Sequence, residues 1–234
     1  MRPTSIGVIL SGAGYLDGAE IHESVLVLLA LSREGSTVQV YAPNLSLAEV
    51  DHVTKKSTGQ ERNTLKEAAR IARSNVKDLA SAKGTDHEGW ILPGGFGAVK
   101  NLSDFASKGG GGSVNREVNR VIREAFAARI PIGACCIAPA VLALIGKASS
   151  TKLKLTIGND PETARVISGM GHTHVEAIVT AVVVDSDRKV VTTPAYMYDD
   201  ASVKDVATGV DKMVSQVVAW SKEELSAPRL GPKP

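Results

Sequence analysis

Pro131-Ile132-Gly133-Ala134-Cys135-Cys136-Ile137-Ala138-Pro139-Ala140-Val141-Leu142 reads as strand, turn and helix within one apolar run. The strand half ends in a thiol, two small residues make the turn, and the helix restarts near Pro139. Proline in a first helical turn sacrifices no bond, because that N–H has no partner inside the helix anyway. Both cysteines of the 234-residue chain sit at this turn. A thiol at a strand end beside a helix N-terminus is where a nucleophile is activated, since the dipole and the free N–H groups favour thiolate. The competing reading is two small buried hydrophobes, free cysteine being among the most buried residue types. Side-chain alternation sends Cys135 and Cys136 to different sides, which leaves one of them for a site.

Outward from this turn, short apolar runs alternate with helical patterns. Ile6–Leu10 is a buried strand stopped by Ser11-Gly12-Ala13-Gly14, and a helix follows from about Glu20 to Arg33, closed by Gly35. Val38–Ala42 is the next strand. A polar stretch, 44–63, leads to a helix over 64–80 with Leu65, Ala68, Ala69, Ala72 and Val76 on one face. Gly89–Leu92 is a strand ending at Pro93-Gly94-Gly95, and 96–112 is a Gly-rich loop. Helices are predicted over 114–128, 139–145, 161–170 and 201–224. Strands are predicted over 130–135, 153–157, 175–184 and 189–193, the last two joined as a hairpin by Asp185-Ser186-Asp187-Arg188. Such alternation predicts an α/β fold, a mainly parallel sheet with helices on both faces. Sites in such sheets lie beyond the carboxyl ends of the strands.

Composition bounds the rest. Apolar residues make up 43% and aromatics 4%, so the core is aliphatic. A net charge of +2 with interspersed signs, and no basic stripe interleaved with aromatics, argues against nucleic acid as a partner. No apolar run is long enough to span a membrane. Adjacent cysteines cannot staple a fold, which points to a reducing intracellular compartment, cytoplasmic or, with a leader removed, mitochondrial. One domain is expected over 1–225, and Ser226–Pro234, rich in proline, reads as a loose tail.

Candidate chemistry gathers at three strand ends. Cys136 is the candidate nucleophile. Gly94 and Gly95 let backbone N–H groups approach a ligand and, with the N–H of Ile137, suit an oxyanion hole; an ordinary tight turn is the alternative. Glu23 lies early in its helix, off the stripe Ile21, Val25, Leu28 and Leu29 assigned to the sheet. A carboxylate in low dielectric beside a thiol has a raised pKa and relays protons; an acid favoured by the helix N-terminus is the plainer reading. The second apolar face of that helix suggests a subunit contact, hence a homodimer. Gly12-Ala13-Gly14 lacks the third glycine of a dinucleotide fingerprint, with Asp17 in its place. Leu26 stands where a zinc motif built on His22-Glu23 needs histidine, and His172 and His174 alone make no zinc set, so neither a metal nor a nucleotide cofactor is expected. His174 remains a candidate base or a surface residue.

Four words, taken together, resemble the class I glutamine amidotransferase-like superfamily, the DJ-one/PfpI group, and within it the enhancing-lycopene-biosynthesis (ElbB-like, ES-one) family. They are Leu10–Gly14 with Asp17–Glu23, Pro93–Ser103, Pro131–Gly133 with Cys136–Pro139, and Val191–Met197. The resemblance implies a flavodoxin-like three-layer sandwich with a nucleophile elbow. It implies Cys136 as nucleophile, Glu23 as its contacting acid, and Gly95 and Ile137 as oxyanion donors. It also implies a cofactor-free glyoxalase-type activity on small dicarbonyls, glyoxal or methylglyoxal going to a hydroxy acid. Ile137 stands where the protease-like branch has histidine, and Asn159 where related chains often place one, so a Cys-His peptidase and a full triad are disfavoured. Without a glutamine-tunnel partner, classical amidotransfer is disfavoured too. The rival readings are a cysteine redox sensor and a partner-binding module on the same fold.

Overall fold

The computed structural model describes residues 2–226, with side chains to 223. In chain order the elements are β1 (Ser5–Ile9), α1 (Ile21–Arg33), β2 (Thr37–Ala42), β3 (Ser46–Asp51), β4 (Lys56–Asn63), α2 (Thr64–Ile71), β5 (Val76–Asp78), β6 (Gly89–Leu92), α3 (Phe96–Lys100), α4 (Phe105–Lys108), α5 (Arg116–Ala127), β7 (Ile132–Cys135), α6 (Pro139–Ala148), β8 (Lys154–Leu155), α7 (Pro161–Gly169), β9 (Thr173–His174), β10 (Val183–Asp185), β11 (Val190–Thr193) and α8 (Val203–Ser226). Seven strands form one sheet in the order β10-β11-β7-β6-β1-β2-β5, parallel except where β10 runs antiparallel to β11.

The central strands carry apolar side chains on both faces because helices cover both. Trp90, Leu92, Ile132 and Ala134 pack toward α5 and α6, whereas Val8, Ile91, Cys135 and Val191 pack toward α1 and α8. The three-layer α/β sandwich read from the sequence is therefore the observed fold. Cys135 belongs to the α1 side, the side from which Glu23 approaches.

Several local expectations are corrected. The polar stretch 44–63 is a hairpin, β3 with β4, set apart from the main sheet. Its second strand is exposed along most of its length, so it shows no alternation for a sequence reading to find. Arg62 fastens it to Asp17 and Glu67, each at 2.6 Å. The helix expected over 64–80 stops at Ile71. Arg73 and Ser74 then take left-handed φ of 50° and 71°, reversing the chain so that β5 can form the sheet edge. The loop expected over 96–112 holds two short helices, α3 and α4. Of the strand expected over 153–157, only Lys154–Leu155 pairs, and with β9 rather than the main sheet. Of 175–184, only the end joins β10. Ser226 closes α8, and the remainder of the expected tail lies outside the described residues.

The inward face of α1 is also corrected. Ile21, Val25 and Leu29, assigned to the sheet, are 47%, 48% and 42% exposed, whereas Glu23, Ser24, Val27, Ala30 and Leu31 are buried. A helix apolar nearly all round gives two candidate stripes, and hydrophobicity alone chose the one without the acid. Leu31→Ala should lower the urea unfolding free energy by about 2–5 kcal/mol, the usual cost of emptying a buried leucine site. Leu29→Ala should cost well under half as much, and equal losses would return the original stripe to the core.

Candidate active site

Three neighbouring strands, β6, β7 and β11, release their chains at one edge of the sheet, and α1 points its first turn at the same place. The geometry begins with Cys136. Strand alternation ends at Cys135, because Cys136 takes φ = 58°, a left-handed conformation that costs an L-residue strain and swings its side chain out of the strand pattern. Its N–H still bonds the Thr193 carbonyl of β11 at 3.0 Å. α6 then starts at Pro139. This is the strand–turn–helix elbow anticipated from the sequence.

Glu23 is completely buried. Its Oε2 accepts the Gly94 N–H at 2.9 Å and its Oε1 accepts the Tyr196 N–H at 3.2 Å. The Cys135 thiol donates to Oε2 at 3.6 Å, and Cys136 sits beside the same carboxyl, both of them against Gly94. Both cysteines therefore meet Glu23, contrary to the expectation that only one would. The turn at Cys136 is the reason, since it returns the second side chain toward the acid that the first already faces.

Glycine is required at both positions after β6. A Cβ at Gly94 would collide with the Cys136 Cβ and lie 2.8 Å from Glu23 Oε2. Gly95 has φ = 92° and would strike the backbone of Gly18 and Glu20. The N–H groups of Gly95 and Ile137 both face the Cys136 sulfur. These are the two main-chain donors that the sequence had suggested for an oxyanion hole, and they lie beside the elbow thiol.

The electrostatics correct one expectation. Burial raises Glu23 to about 7, the charge of Glu20 adds to this, and the Tyr196, Cys136 and Gly94 hydrogen bonds pull it down. Burial also pushes the Cys136 thiol well above its ordinary range, reinforced by the Glu23 charge, and the Gly95 and Ile137 N–H groups only partly oppose this. The helix terminus does not make a resting thiolate, because Cys136 is 7% exposed and lies against a carboxylate. The thiol therefore keeps its proton at rest.

His174 stands apart. Its ring Nε2 accepts the Ile157 N–H at 3.3 Å in the small β8–β9 sheet, and among the described residues no hydrogen bond joins it to Cys136 or Glu23. His172 is buried and bonds Leu153 and Ala143. Sequence reading missed the role of Tyr196. Its backbone N–H reaches Glu23 because Ala195 takes a left-handed φ of 46°, and its hydroxyl pairs with His22 Nδ1 at 2.9 Å. The word Val191–Met197 was visible, but a main-chain donor leaves no side-chain signature. Among the described residues no group of three His, Cys, Asp or Glu side chains could hold a metal ion, and no helix is long and apolar enough to cross a membrane.

Folded protein holds the Glu23 proton up to about pH 7, whereas the unfolded chain releases it near 4.5. The stability this confers is complete below the lower value and is lost as pH rises through the upper one, by up to about 3 kcal/mol. Urea unfolding at about pH 5 and about pH 8 should show that fall, and Glu23→Gln should shrink it; an unchanged difference in the variant would place the titration elsewhere.

No protein-family model matches the chain. It is 41% identical over 229 residues to the human glutamine amidotransferase-like class 1 domain-containing protein 3, mitochondrial, covering 93% of this chain and 84% of that one. The ES1 protein homolog, mitochondrial, of Rattus norvegicus is 39% identical with the same coverage. Among solved structures, an isoprenoid biosynthesis protein with an amidotransferase-like domain from Ehrlichia chaffeensis superposes with a TM-score of 0.86 at 36% identity, covering 93% of this chain and 99% of that one. DJ-1beta of Drosophila melanogaster shares the fold at a TM-score of 0.56 and 19% identity, covering 97% and 100%. With its elbow cysteine set in a sheet that shares the DJ-1 fold, the chain belongs to the ES1 family of glutamine amidotransferase-like class 1 proteins.

Proposed function

We propose that the protein is a cofactor-independent enzyme of glyoxalase type, converting a small dicarbonyl such as glyoxal or methylglyoxal to a hydroxy acid. The observation that carries this reading is a fully buried carboxyl, raised by burial to a pKa of about 7, set beside both cysteines of a left-handed elbow. A base that must collect a proton and return it at neutral pH works best at such a value.

Cys136 sulfur bonds to the aldehyde carbon as its proton passes to Glu23, and the carbonyl oxygen takes negative charge in front of Gly95 and Ile137. Glu23 returns the proton to that oxygen, giving a hemithioacetal. The carboxylate then removes hydrogen from the former aldehyde carbon and delivers it to the neighbouring carbonyl carbon through an enediol. The first carbon is thereby oxidised and the second reduced, leaving a thioester. Water cleaves the thioester, releasing the hydroxy acid and restoring the thiol. Overall one water is added and no external oxidant or reductant is consumed.

Purified Cys136→Ala should form no lactate from methylglyoxal, and Glu23→Gln should lose about 10²–10⁴ in rate. Turnover should rise with pH through about 7 as Glu23 ionises. Undiminished lactate formation by Cys136→Ala would end the proposal. The redox-sensor reading is separated from this one by mass spectrometry after mild peroxide: oxidation at Cys136 without dicarbonyl turnover would favour the sensor.

The outward stripe of α1, Ile21, Val25 and Leu29, supports self-association into a homodimer, because three large apolar side chains one turn apart form an exposed patch next to the site. Val25→Glu should reduce the sedimentation coefficient to that of a single chain, and a wild type that sediments as a monomer would remove this assignment. The mitochondrial names of the human and rat relatives and two free cysteines favour a reducing mitochondrial location.

A further inference from the structure

β7 and β11 run parallel, with Ile132 beside Val190 and Cys135 beside Thr193. Their carboxyl ends build the thiol site. Their amino ends open onto two hollows of about 240 and 440 Å³ that share Asp187 and Arg188 in the β10–β11 turn. The first is lined by Arg123, Arg129 and Arg188, the Phe126 ring, and the hydroxyl residues Ser149 and Thr151. Lys152 and Lys154 line the second.

The charge here is unbalanced. Arg2, Arg33, Arg62, Arg70, Arg116 and Arg120 each meet a carboxylate. Arg123, Arg129 and Arg188 come from three different segments, line one hollow, and among the described residues make no ion pair. Asp185 is turned toward the main chain, its oxygens accepting the backbone N–H groups of Lys154 and Arg188 at 2.7 and 3.2 Å. Asp185 and Asp187 are the two acids lining the cleft, against five cations. The carbonyl end of α5 attracts positive charge and accounts for Arg129, just beyond it. It does not account for Arg123, which precedes the last turn, or for Arg188, which the hairpin turn delivers to the same space.

We propose that this cleft is a binding site for a small molecule bearing two or more anionic groups, phosphate or carboxylate, held by Arg123, Arg129 and Arg188. Planar guanidinium groups grip such oxyanions through paired N–H donors, and an anion placed among several of them relieves their mutual repulsion. The Phe126 ring gives the ligand's apolar part a surface. The combined space suits a small metabolite rather than a macromolecule.

Titration calorimetry on the full chain tests this with inorganic pyrophosphate in one arm and citrate in the other, at low and at near-physiological salt. At least one probe should bind saturably, more weakly in salt, and the preferred probe names the anionic group. Arg123→Gln with Arg188→Gln should weaken binding about tenfold or more, at an unchanged melting temperature. Cys136→Ala should bind as the wild type does. Arg73→Gln with Arg165→Gln, which removes equal charge elsewhere, should also bind unchanged. Absence of saturable binding of both probes, wild-type affinity in the first double variant, equal weakening in the second, or loss of binding in Cys136→Ala would each overturn the assignment.

Discussion

A single buried carboxyl ties the functional edge together. Glu23 arrives on α1, and its two oxygens accept N–H groups from segments that follow different strands, Gly94 after β6 and Tyr196 after β11. The cysteines at the end of β7 complete the ring of contacts. A buried charge without partners is costly, whereas one satisfied by fixed main-chain donors is tolerated and holds its neighbours in place. The acid therefore sets the spacing of three strand ends as well as the chemistry of the thiol. Its raised pKa and the upward shift of Cys136 have the same origin, the dryness of the space they share.

Much of this was legible in the chain. The apolar runs at Ile6, Gly89 and Ile132 are continuous because their strands are covered on both faces, and they became neighbours in one parallel sheet. Cys136, Gly94, Gly95, Ile137 and Glu23 could be named because a strand-ending thiol, paired glycines and an acid opening a helix are chemically distinctive. What escaped depended on properties that side-chain chemistry does not encode. The break after Ile71 arises from two left-handed residues that are neither glycine nor proline. β4 of the β3–β4 hairpin is polar on both faces and is fastened by Arg62, a long-range pairing with no local pattern. Tyr196 contributes a main-chain donor, which any residue but proline could supply. The orientation of α1 turned on burying Glu23 rather than the most hydrophobic stripe.

The two ends of the sheet carry opposite kinds of environment. At the carboxyl ends of β6, β7 and β11 the Glu23 carboxyl is buried and satisfied by main-chain donors. At the amino ends of β7 and β11, Arg123, Arg129 and Arg188 are exposed and among the described residues make no ion pair, and each charge is individually weak in water. α6 joins the two, starting beside Cys136 at Pro139 and ending beside the basic cleft at Ala148, and it is buried through Gly146. Its packing on both sides leaves it little room to move independently of the sheet.

The contact between acid and thiol passes through the volume that position 94 leaves vacant. A methyl group there would wedge the two partners apart while leaving both of their side chains chemically intact. The approach of the acid to the elbow is thus guarded by a residue with no chemistry of its own, one whose whole contribution is to be small.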